Sequence, residues 1–139
     1  MTSRLNASRR LAYVLGVLTP LGETFRRWGT WWDHPLIFID DYLIGAFLIA
    51  GAWATRGLPS NRGRALLAAA WGFTLGMAYA SVAAHWQGMQ VGFIDPAPIP
   101  TEWVFAIKVA GCLIAAGALL LTIADIDTTG GREPGSSSR

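Results

Sequence analysis

The chain has 139 residues, of which 53% are hydrophobic and only 14% charged, with a formal charge of +2. A typical soluble domain is about 25% charged, and the mean hydropathy here is +0.38 even though both ends are polar. These values exclude a disordered chain, a collagen-like chain and an ordinary water-soluble globule and leave a small integral membrane protein; its apolar runs, taken in order, predict an all-α integral membrane four-helix bundle.

Residues 1–8 are read as a short cytoplasmic segment preceding a transmembrane domain over 9–124. The first span, 9–31, is apolar only from Leu11 to Leu21 and then meets Glu23, Arg26 and Arg27. Its remaining length must be shielded by neighbouring helices, because about 20 apolar residues are needed to cross a bilayer. Arginines ahead of a short apolar run also fit a signal peptide, but Thr19 to Glu23 offers no small-x-small cleavage site. The second span, 35–55, carries Asp40 and Asp41; Pro59 closes it, and Ser60, Asn61 and Gly63 form a tight turn. The third span, 65–85, has no acidic or basic residue before His85. Residues 95–103 are proline-rich and expected to be extended, with Thr101 capping the next helix. The fourth span, 103–124, holds one charge, Lys108, and residues 125–139 are expected to form a flexible cytoplasmic tail.

Basic residues orient these spans. Arg4, Arg9, Arg10, Arg56, Arg62, Arg64, Arg132 and Arg139 fall on one side, against Arg26 and Arg27 on the other. The positive-inside rule therefore places both termini in the cytoplasm, and the expected location is the bacterial inner membrane. Trp28, Trp31, Trp32, Trp86 and Trp103 fall at the expected outer interface and Trp53 near the inner one, where amphipathic rings are favoured.

Small residues recur every fourth position on the third span at Ala68, Gly72, Gly76, Ala80 and Ala84. That spacing forms one face suited to close helix packing, either within the bundle or against another chain. Ala46, Ala50 and Ala54 repeat the pattern on the second span, and Gly111 and Ala115 on the fourth.

The intramembrane charges are concentrated in the outer half. At 1.5 Å per residue, Asp40 and Asp41 lie roughly 7–9 Å below the outer end of their helix and Lys108 about 8–9 Å below Glu102. By the same rise Arg27 is about 6 Å and Glu23 about 12 Å below Trp31. Glu23, Arg26, Arg27, Asp40, Asp41 and Lys108 therefore form one polar layer, three of each sign. Each uncompensated charge at the bilayer centre costs about 2.5–3.5 kcal/mol or more, so mutual pairing is expected. Glu23 reaches Arg26 and Arg27 at i+3 and i+4. At least one of Asp40 and Asp41 is expected within hydrogen-bonding reach of Arg26, Arg27 or Lys108.

His34 and His85 lie just above this layer and, with the acids, offer nitrogen and oxygen ligands for a metal, although no diagnostic spacing links them. The one cysteine, Cys112, sits in an apolar stretch and cannot form an intrachain disulfide. With no glycine-rich phosphate loop, CxxC or HExxH present, no cofactor and no nucleic-acid partner are expected. Three functions remain open. The first, favoured by the pairwise balance of the layer, is a non-catalytic subunit or assembly factor of a membrane complex. The second is a small transporter or channel component that binds a solute or protons at the layer. The third is a membrane enzyme with a metal or quinone site. The expected partners are the lipid bilayer and either further copies of this chain or a larger membrane complex.

Overall fold

A computed structural model describes residues 3–28, 35–57 and 60–124. They form four helices: α1 (Ser3–Arg26), α2 (Pro35–Gly57), α3 (Ser60–Gln90) and α4 (Thr101–Ile123). No strand occurs among the described residues. His34, Trp31, Trp32, Pro59 and the tail 125–139 lie outside them.

Each helix packs on the next in sequence, and α1 also touches α4, closing a ring. The core takes Leu5 and Ala12 from α1, Ile44, Leu48 and Ala52 from α2, Leu67, Ala70 and Trp71 from α3, and Ala115 and Ala118 from α4. These are the first halves of α1 and α3 and mainly the second halves of α2 and α4. The complementary halves enclose a group of polar residues.

Helix α1 begins at Ser3, so residues 3–8 form its first turns. The reason is a buried face, Leu5, Ser8 and Ala12, recurring at helical spacing. Ser8 is tolerated there because its hydroxyl is fully engaged. It accepts the Trp71 Nε1–H at 2.8 Å, lies 2.7 Å from the Thr122 hydroxyl and 3.2 Å from the Ala118 carbonyl. Three helices are thus joined through polar atoms inside an apolar core, where an unmatched partner would cost about 1–3 kcal/mol.

Close backbone approach occurs at other positions than the four-residue repeats suggest. A Cβ built on Gly45 would lie 2.5 Å from the Gly16 carbonyl oxygen, and one on Gly63 would lie 2.7 Å from the Ala54 carbonyl oxygen. The α1–α2 crossing has a local cause. Pro20 lies inside α1 and has no N–H to return to the Gly16 carbonyl; Gly45 packs on that carbonyl. Ser60, Asn61 and Gly63, expected as a turn, lie in the first turn of α3.

Two helical stretches, Asn61–Gln90 and Thr101–Ile123, are long and apolar enough to cross a membrane. Only 22% and 17% of their most apolar windows are buried within the chain.

Candidate functional site

Helix α3 ends in a turn that sets the course of the α3–α4 loop. Gly92 adopts φ +81°, the left-handed region that suits glycine. Its N–H donates to the Met89 carbonyl at 3.2 Å, and the Phe93 N–H donates to the Gly88 carbonyl at 3.0 Å. This pair of bonds is a Schellman termination, and it turns the chain back toward the helices. Asp95 comes three residues later and is buried, although the sequence places it in a proline-rich loop. Its Oδ1 accepts the Ala97 N–H at 2.9 Å, and its own N–H donates to the Thr101 hydroxyl at 3.1 Å. Thr101 is the first residue of α4 and not its cap; Pro100 holds the cap position without a side-chain bond.

Asp95 joins the polar layer. Arg26 donates to Asp95 Oδ2 through Nη1 at 2.7 Å. The same guanidinium donates through Nε and Nη2 to the two Glu23 oxygens, each at 2.7 Å. Arg27 donates through Nε to Glu23 Oε1, as the i+3 and i+4 spacing predicts. Glu23 and Asp95 are buried while both arginines remain partly accessible. Charge-assisted, two-pronged contacts of this kind are the strong class of hydrogen bond. The α1 end is thereby clamped to the α3–α4 loop.

The other sequence-selected charges are arranged differently. No hydrogen bond or salt bridge joins Asp40, Asp41 or Lys108 to another charged group among the described residues. The expected pairing of an α2 acid with Arg26, Arg27 or Lys108 is therefore absent, because Arg26 already holds two carboxylates, one of them on a loop residue outside the predicted layer. Asp41 still interacts through space with Glu23, Arg26 and Lys108.

All six sequence-selected charges nevertheless line one cavity of about 850 Å³, together with Asp95 and His85. That volume lies within the range of small-molecule sites, roughly 300–1,000 Å³. Its walls are largely apolar, including Leu15, Leu18, Phe25, Ile44, Met77 and Ile107. His85 is buried, with its ring edge-on to Phe93 and tilted against Phe105. Its Nδ1 faces Asp95 Oδ2 at 3.6 Å, while its Nε2 has no hydrogen-bond partner among the described residues and almost no accessible surface.

Of the two histidines offered as metal ligands, His34 lies outside the described residues. Among those residues, no group of three or more His, Cys, Asp and Glu side chains could hold a metal ion. On the small-residue face of α3, Ala68 is partly buried, while Gly72, Gly76, Ala80 and Ala84 are exposed. A Cβ built on Gly72 or Gly76 meets no atom within 4 Å, whereas Ala80 and Ala84 border the cavity. Ala46 and Ala50 on α2 are exposed and Ala54 is buried.

Asp95 is the member of the polar cluster that the sequence did not single out. The available signal was local: an acid directly before Pro96, three residues after a glycine, in a loop without Lys or Arg. Compared with known proteins, the chain matches no family model, no curated protein and no solved structure.

Proposed function

We propose that this chain is a four-span membrane protein, both termini cytoplasmic, whose outer-half cavity binds a small solute as part of a transporter or binding component. The membrane reading is supported by the two apolar helices, which leave most of their surface unburied within the chain. The core helix of a soluble protein buries most of such a stretch, so lipid is the natural cover for this surface.

One observation carries the solute-binding reading. The charges divide into a clamp of mutually paired groups, Glu23, Arg26, Arg27 and Asp95, and a second set, Asp40, Asp41 and Lys108, that lines the same cavity without an ion pair among the described residues. A purely structural network would pair all its members, since an intramembrane charge without a partner costs several kcal/mol. Ionisable groups left free around an apolar cavity mark a place where another molecule supplies the counter-charges and hydrogen bonds.

The subunit reading keeps one supporting observation, the outward-facing Gly72 and Gly76, which suit a helix from another chain. Native mass spectrometry after gentle extraction from the membrane separates the two. A bound small molecule that is absent from a Ser81→Trp variant, in which the indole fills the cavity, supports solute binding. A foreign protein at fixed stoichiometry, with the cavity empty in both forms, rejects solute binding in favour of the subunit.

A further inference from the structure

We infer that the cavity takes a protonated primary or secondary amine with an apolar body, its N–H groups meeting the Asp40 and Asp41 carboxylates; this rests on the solute-binding reading. Three observations converge on this class. The first is charge. The clamp sets Glu23 and Asp95 against Arg26 and Arg27. The other acidic and basic side chains described along the cavity are Asp40, Asp41 and Lys108, two acids against one base. A monocation restores balance in a site where imbalance is expensive.

The second is hydrogen-bond polarity. The Asp40 and Asp41 carboxylates line the cavity and, when ionised, only accept hydrogen bonds; neither has an ion pair among the described residues. The unmet requirement is therefore for donors, which an ammonium with two or three N–H groups supplies at once. A quaternary ammonium has the charge but no donor, and a carboxylate has neither.

The third is the wall. Leu15, Leu18, Phe25, Ile44, Met77 and Ile107 border the cavity, and they suit an alkyl or aryl body. Phe93 lines it as well, and aromatic rings attract a cation. Sites that demand a hydrogen bond reject analogues lacking the donor far more strongly than apolar sites reject a methylene.

The test compares three probes with the same alkyl chain, hexylamine, hexyltrimethylammonium and hexanoate, by isothermal titration into the protein in lipid nanodiscs, with empty nanodiscs subtracted. Hexylamine is expected to bind at least about tenfold more tightly than hexyltrimethylammonium, and hexanoate more weakly still. Asp41→Asn is expected to weaken hexylamine at least about tenfold, and the double variant Asp40→Asn with Asp41→Asn to remove its preference over the quaternary analogue; should the double variant unfold, Asp41→Asn carries the test alone. Equal binding of the two cations, or a preference for hexanoate, overturns the amine inference and leaves solute binding standing. No binding of any probe by the folded wild-type protein overturns both.

Discussion

Replacing Asp95 by Asn tests the clamp directly. Asp95 holds the Arg26 guanidinium at 2.7 Å with its side chain fully buried, while Arg26 is 15% exposed. Removing one partner of a buried ion pair costs about 3–5 kcal/mol. Two features lower that figure here: Arg26 retains both Glu23 oxygens, and Asn keeps an oxygen for the Ala97 N–H. We therefore expect a loss of about 2–3 kcal/mol. For a chain of this length, between the size classes with known slopes, that corresponds to a Tm lowered by about 6–15 °C. Circular dichroism of the detergent-solubilised protein on heating measures it. The double variant with Arg26→Met should lose less than the sum of the single variants, with a coupling of at least about 1 kcal/mol. A fall below about 2 °C, or full additivity, would show that this contact does not hold the loop.

The glycines on the helix faces should divide into two groups. Gly45→Ala forces a Cβ against the Gly16 carbonyl and should cost about 1–3 kcal/mol, whereas Gly72→Ala and Gly76→Ala enter open space and should gain up to about 1 kcal/mol; denaturant titration ranks them, and equal effects would refute the crossing geometry. Ser8→Ala removes the partner of the Trp71 indole and should destabilise by about 1–3 kcal/mol, with thermal unfolding as the readout and a neutral result the refutation. In a Cys112→Ser background, Cys placed at Ser3 and at Gln90 should react with an impermeant thiol reagent from opposite sides of sealed vesicles; labelling from one side would contradict an odd number of crossings between them.

Much of this arrangement was legible from spacing within single helices. The four helices follow from apolar runs interrupted by Pro and Gly, and the Glu23 contacts with Arg26 and Arg27 follow from i+3 and i+4 geometry. What spacing does not reveal is the partner across a helix crossing. The stripe from Ala68 to Ala84 has the right period, yet the tight crossings fall at Gly16, Gly45, Gly51 and Gly63. Close approach depends on what faces each residue, and at Gly45 that is a carbonyl released by a proline on another helix. Ser8 was obscured in a different way. A serine beside two arginines reads as solvated until Trp71 and Thr122 are known to lie against it.

Asp95 was hidden by arithmetic as well as by position. The sequence-selected charges balance at three of each sign, which removes any reason to seek a fourth acid. Once the Gly92 turn brings Asp95 under the helices, Arg26 is taken up by two carboxylates and the balance is redistributed. That redistribution separates the roles of the helices. Helix α1 and the α3–α4 loop carry the paired clamp, while the charges that α2 contributes to the cavity have no ion pairs among the described residues. A fixed frame on one side and free carboxylates on the other is the arrangement the proposed binding site needs, because pre-organised groups lose little on association while the free ones gain a counter-charge. On that proposal, the clamp is the support that holds the cavity open beside Asp40 and Asp41.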